Sequence, residues 1–160
     1  MRVLVQRVKS DCRIVINQNT VREFFGVGLV AYLGWEQRDE KRDDLIDAEE
    51  WVRSKVSGLR IFPDIEGRMN LNLETYLNQQ SVEGGILWVS QFTLAGELDS
   101  GFRPSFTKAM KSEMAKTRFE NFCQMISIQN TKFKNIFGEF GADMDITYCN
   151  WGPVSILLER

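Results

Sequence analysis

A chain of 160 residues, 43% apolar and 26% charged, is enough for one domain with a sizeable core and too short for two comfortable ones, so residues 1–160 are expected to form a single domain. No apolar run approaches the ~20 residues of a membrane span. The opening "MRVLVQRV" carries Arg2 and Arg7 where a signal peptide would be apolar, so a cytoplasmic protein with no membrane partner is expected. The chain has no histidine, which removes Ser-His-Asp and Cys-His catalysis, the usual zinc sites and any histidine general base; no metal or cofactor is expected.

"MRVLVQRV" alternates as a strand, and "CRIVIN" follows the turn-prone "KSD", which predicts a hairpin turning there. "TVREFFG" and "GLVAYLG" are a second pair of strand-like runs. The period then changes: Leu45, Ala48, Trp51, Val52 and Val56 fall at helical spacing, with Gly58 as the stop and an acidic outer face. "LRIFPDIEGRMNLNL" reads as a short strand, a turn and another extended piece. "GGILWVSQFTLAG" is the most apolar strand and is expected at the centre of a sheet. A second helix is predicted from Ser112 as N-cap, with a core stripe of Ala115, Phe119, Phe122, Cys123 and Ile126. "KNIFGEF", "DMDITYCN" and "PVSILLE" return to strands. The order predicts an α/β domain of mixed, largely antiparallel sheets with helices covering one side.

Cys12, Cys123 and Cys149 are odd in number and scattered, which suggests reduced thiols. Residues 36–50 carry eight acidic and three basic side chains, and residues 101–134 carry seven basic and two acidic. Each run is read as a solvated helix face, and the second also as the border of an anionic ligand such as RNA.

Three stretches carry candidate chemistry. In "SQFTL" polar groups end the most buried strand, where they cost free energy unless hydrogen-bonded. Strand alternation would put Gln91 and Thr93 on one face, with Ser90 and Phe92 on the other. "GFRPSF", from Gly101 to Phe106, reads as a loop. "NWGPVS" places Pro153 inside the last β segment, where a proline has no donor for a ladder.

In this order and spacing the three stretches resemble the D-aminoacyl-tRNA deacylase family, and "MRVLVQRV", "GLVAYLG", "LRIFPDIEGRMNLNL", "GEFGADM" and "NWGPVS" extend the resemblance almost end to end. The resemblance implies that family's layered, barrel-like fold and a homodimeric, metal-independent hydrolase with its active site at the subunit interface. Its substrates would be D-aminoacyl-tRNA and mischarged glycyl-tRNA. It implies a cis Gly152–Pro153 peptide that enters the partner's site as a chirality gate, flanked by Asn150 and Val154 and oriented by Arg7. Ser90, Gln91, Phe92 and Thr93 would form the catalytic strand, and Phe140 and Met144 would bind the terminal adenine. With no histidine to activate Thr93, the Phe92 N–H as oxyanion donor and the substrate's 2′-hydroxyl are preferred over threonine as nucleophile.

The chain departs from the family pattern at Trp151, Ser155 and Cys12, in "REFFGVG", and in "ELDSGFRPSF". A binding-only relative that has lost turnover is the main alternative. A small-molecule esterase unrelated to RNA is the other.

Overall fold

The computed structural model describes residues 1–99, 101–128 and 133–160. The first 34 residues make one long bent hairpin. Strand β1 (Arg2–Ile16) returns as β2 (Thr20–Phe24) and β3 (Val27–Gly34), and one register holds from Ile16↔Thr20 through Cys12↔Phe24 to Arg2↔Gly34. The reversal lies at Asn17 and Gln18, whose φ of 48° and 61° are the left-handed values tight hairpin loops favour. The expected turn at "KSD" is therefore not a turn. Residues 9–11 bulge out of β1, so that Val8 faces Asn150 and Cys12 faces Tyr148 on the last strand. Asp11 accepts from the Gly26 N–H at 2.8 Å, fastening the bulge to the bend between β2 and β3.

From β3 the chain passes through α1 (Leu45–Gly58), the short hairpin of β4 (Phe62–Pro63) and β5 (Met69–Leu71), and α2 (Leu73–Gln80). It then enters β6 (Gly84–Ser90), parallel to β3. Helix α3 (Ser112–Ile128) leads to β7 (Lys134–Phe137), parallel to β6. Strand β8 (Met144–Glu159) lies antiparallel along the other edge of β1. The Arg22 guanidinium on β2 donates to the carbonyls of Phe137 (2.5 Å) and Gly138 (3.3 Å) at the end of β7, which curls the sheet into a nearly closed barrel. The mixed α/β architecture with helices on one side is as the sequence predicts. β6, buried along its length, sits between β3 and β7.

The two-residue period of the strands sorts side chains into two cores. Val3, Val5, Leu29, Leu33 and Trp88 face the helices and pack on Leu45, Val52, Leu73, Phe119 and Phe122. Val8, Cys12, Ile14, Phe24, Leu87 and Val89 fill the concave face of the curled sheet. There the Phe24 ring lies over Gly28; a methyl group on Gly28 would come within 2.6 Å of that ring and 2.1 Å of the Gly85 carbonyl oxygen.

Two readings of the sequence need correction. The sequence suggests only an extended piece up to Leu73, yet helix α2 starts there, capped by the Asn72 side chain, which accepts from the Thr75 N–H at 2.9 Å. Ser81 ends it in the left-handed region at φ 52°. The acidic run is not all solvated. Asp39 is fully buried and accepts from the Met1 ammonium at 2.9 Å and the Glu36 N–H at 2.8 Å. Buried Glu49 accepts from the Trp35 indole at 2.9 Å. Among the described residues no helix is long and apolar enough to cross a membrane.

Candidate functional site

Strand β6 ends at Ser90, where the chain leaves the sheet. The Gln91 N–H makes a last bond to the Leu33 carbonyl at 2.7 Å, and Phe92–Ala95 then form a 3₁₀ turn. Strand alternation therefore does not extend through Gln91 and Thr93. The turn brings the Gln91 amide onto the Thr93 hydroxyl, to which it donates at 2.5 Å. The Phe92 and Thr93 N–H groups open the turn, where a helix provides no internal acceptor. The Phe92 ring is 55% exposed and meets Phe106 edge-on at 5.0 Å.

Beside this turn lies a cavity of about 540 Å³. Val89, Ser90, Gln91 and Phe92 form one end, Phe140 and Met144 stand in its wall, and Ser112 and Ala115 from the first turn of α3 close another side. An apolar wall with a few polar groups at one end suits a base joined to a polar reacting group. The cavity thus unites five of the sequence-predicted residues: Ser90, Gln91, Phe92, Phe140 and Met144. Thr93 does not line it and reaches it only through Gln91. Ala109, Met110 and Ser112 also line it; nothing in the sequence pattern separated them from ordinary loop and helix-start residues.

"NWGPVS" is neither a loop between strands nor a strand break. It is a bulge within β8. Gln6 pairs with Ser155 and Val8 with Asn150, so four residues of β8 stand opposite Arg7 alone. The Gly152–Pro153 peptide is cis and both residues are exposed. Arg7, only 6% exposed, holds the base of the bulge: its Nε donates to the Trp151 carbonyl at 3.1 Å and its Nη1 to the Ile61 carbonyl. Its guanidinium carbon lies 4.3 Å from the centre of the Trp151 ring, which itself packs edge-on against Phe62 and Tyr76. Burial pulls the Arg7 pKa below its ordinary value, with Tyr76 opposing the shift. Trp151 therefore turns inward onto Arg7, and Val154 points its side chain into the helix-side core. Ser155 accepts from the Gln6 amide at 3.1 Å. None of Arg7, Asn150, Gly152, Pro153 or Val154 lines the cavity of its own chain.

Burial pushes the Cys12 and Cys123 thiols up to about 12, so neither is a thiolate near neutrality. Among the described residues, no group of three or more His, Cys, Asp or Glu side chains is gathered as a metal site.

A family profile described as D-Tyr-tRNA(Tyr) deacylase matches residues 4–159. The chain belongs to that family. Among curated relatives of this deacylase family, the D-aminoacyl-tRNA deacylase of Exiguobacterium sibiricum is 39% identical over 160 residues, covering both chains fully. That of Thermotoga petrophila is 38% identical over 159 residues, covering 99% of this chain and 97% of its own. A solved structure named c-Myc DNA Unwinding Element Binding Protein superposes with a TM-score of 0.80 at 28% identity, covering 100% of this chain and 99% of the other. A probable eukaryotic D-amino acid tRNA deacylase gives 0.75 at 16% identity over 99% of each chain, which speaks for the fold alone.

Proposed function

We propose that this protein hydrolyses the ester of D-aminoacyl-tRNA, and of mischarged glycyl-tRNA, in the cytoplasm. The observation that carries the reading is the cavity in which the Ser90–Phe92 end of β6 meets Phe140 and Met144, in a chain of this family. In this reading the terminal adenine packs on Phe140 and Met144, through stacking and soft sulfur contact. The ester carbonyl lies over the start of the 3₁₀ turn. Water, oriented by the substrate's 2′-hydroxyl, adds to the carbonyl carbon and passes its proton through that hydroxyl, while the carbonyl electron pair moves onto the oxygen, to which the Phe92 N–H donates. Collapse breaks the bond to the ribose oxygen, which leaves with a proton, freeing the D-amino acid. Ser90, Gln91 and Thr93 orient these groups without attacking.

Handedness is read at Gly152–Pro153 of a second copy. The bulge is exposed and anchored by buried Arg7, and it lies away from its own cavity; β8 pairs with β1 alone among the described strands, leaving its outer edge available. Main-chain carbonyls there can accept from the substrate ammonium and leave no room for an L side chain, while glycine passes. A rigid clash of this kind discriminates more sharply than the ~1–3 kcal/mol of one apolar contact.

The test is single-turnover hydrolysis of D-Tyr-tRNA and L-Tyr-tRNA, with sedimentation of the same preparation. Rapid loss of the D ester alone from a dimer is expected. Two untouched esters would leave a binding protein, and cleavage of free D-tyrosine esters without adenosine would leave a small-molecule esterase. A terminal 2′-deoxyadenosine should slow cleavage about 100-fold or more if the hydroxyl takes part. A normal rate there would remove that step.

A further inference from the structure

Phe140 has two faces. Beyond the adenosine cavity it also lines a second hollow of about 500 Å³, between α3 and the segment that follows β7. Helix α3 runs past both. Ser112 and Ala115 of its first turn line the first hollow; Lys116, Glu120, Cys123 and Gln124 of the next turns line the second. The two hollows are thus consecutive along roughly 18 Å of one helix, at 1.5 Å rise per residue, with a single aromatic ring dividing them.

The chemistry of the second hollow differs from that of the first. Arg22 projects into it, half-buried, with hydrogen bonds to two carbonyls and no ion pair among the described residues. A half-buried cation with no ion pair among the described residues favours an added anion beside it. Lys116 is exposed, and its contact with Glu120, 3.9 Å long, is a weak surface pair that can be exchanged for a stronger one. Glu120 and Glu139 give carboxylate acceptors and Gln124 an amide, while Phe119, Phe137 and Phe140 supply apolar wall. A nucleotide presents this same mixture: a phosphate for the cations and a base for the aromatic ring. A carboxylate accepts specifically from the exocyclic amine of cytosine.

The geometry points to a subsite for the penultimate nucleotide of the tRNA end, a cytidine, stacked on the face of Phe140 opposite the terminal adenine. This rests on the deacylase reading above. The phosphate joining the two nucleosides passes Lys116 and Arg22, the cytosine amine faces Glu120 or Glu139, and the Gln124 amide donates to the acceptor edge of the same base. The basic bias of the α3 region then has a local purpose, steering the strand along the helix from one hollow into the next.

The experiment compares D-tyrosyl esters of adenosine and of the dinucleotide CpA, with a parallel binding titration of the non-hydrolysable amides of both. Wild-type protein, Lys116→Ala, Gln124→Ala and the groove-filling Cys123→Phe are used. The expected result is a KM and Kd about tenfold lower for the CpA compounds than for adenosine, tenfold being the worth of one good charged contact. Lys116→Ala and Cys123→Phe should shrink that gain to about twofold and leave the adenosine compounds unchanged. Replacing CpA by ApA should lose part of the gain, and Gln124→Ala should narrow the difference between the two dinucleotides. Equal binding of adenosine and CpA, or variants that weaken both alike, would overturn the subsite. If neither ester is cleaved, the deacylase reading fails, while the Kd ratio of the amides still judges the subsite.

Discussion

Removing the arginine beneath the Gly152–Pro153 bulge should damage both stability and selectivity. Arg7 is buried without a carboxylate partner among the described residues, and its donors are spent on two main-chain carbonyls, those of Trp151 and Ile61. In Arg7→Met the stem volume is largely kept, but both carbonyls lose their donor, at roughly 1–3 kcal/mol each. The cation–π contact with Trp151 at 4.3 Å is lost too, worth about 1–2 kcal/mol. Relief from burying an unpaired cation offsets much of this, leaving a net loss of about 2 kcal/mol. In urea that is a midpoint shift of about 1–2 M. Selectivity should suffer more, because the Trp151 carbonyl, one bond from Gly152, is no longer fixed; the ratio of D to L hydrolysis should fall at least about tenfold. Arg7→Lys should recover part of the stability and little of the ratio, since an ammonium reaches one carbonyl and cannot stack as a planar fork. A methionine variant that unfolds at the parent's urea midpoint and keeps the parent's D-to-L ratio would refute this account of the bulge.

Gly152→Ala places a methyl 3.2 Å from the Asn150 side-chain oxygen, a neighbour that is exposed and can move. Thermal stability should therefore change by less than about 1 kcal/mol, while kcat/KM for D-Tyr-tRNA falls about tenfold or more; unchanged kinetics would take the gate away from this residue. Thr93→Ala removes a hydroxyl whose recorded partner is the Gln91 amide, not a base. Turnover within about tenfold of the parent is expected, and loss of all chemistry with intact tRNA binding would make Thr93 the nucleophile. Iodoacetamide at pH 8 should modify exposed Cys149 and spare buried Cys12, whose thiol burial raises to about 12; rapid labelling of Cys12 would contradict the packing of the core it belongs to. Burial raises the Glu49 pKa above the ordinary 4.5, against the Trp35 hydrogen bond, so its contribution to stability is complete below 4.5 and lost as pH rises through the folded value. Glu49→Gln should keep the bond from Trp35, flatten that pH dependence in chemical denaturation, and be no less stable at pH 7; a steeper dependence would reverse the sign assigned here.

Legibility in the sequence followed the range of the signal. Strands with period-two apolar patterns and the two longer helices could be read, because burial on one face is written locally in residues such as Val3, Val5, Val52 and Phe119. What failed was the choice among geometries that share a local signature. "KSD" has turn chemistry, yet a bulge uses the same residues, and only pairing with distant Asn150 and Tyr148 selects it. Asn17–Gln18, the actual turn, carries no glycine to announce it. Helix α2 spans only eight residues, with just Leu73 and Leu77 buried, too few for a period to show. Ser90 and Gln91 stand out locally as polar residues ending the most apolar strand, whereas the site roles of Phe92, Phe140 and Met144 rest on the family resemblance. Their meeting in one cavity depends on the order of β6, α3 and β8, which no local pattern contains.

Trp151 shows why departures from a family pattern need a structure to interpret. As a large side chain next to Gly152, it could be taken for part of a binding surface. The structure turns the ring the other way: it lies inward, against Phe62, Tyr76 and the Arg7 guanidinium together. Trp151 covers Arg7 with an aromatic face and adds no charge that would neutralise it. The bulge is thus supported by main-chain acceptors and ring packing, interactions that neither titrate near neutral pH nor weaken steeply with salt. If the RNA strand binds through exposed Lys116 and half-buried Arg22, its binding should weaken as salt rises, while discrimination at Gly152–Pro153 should not.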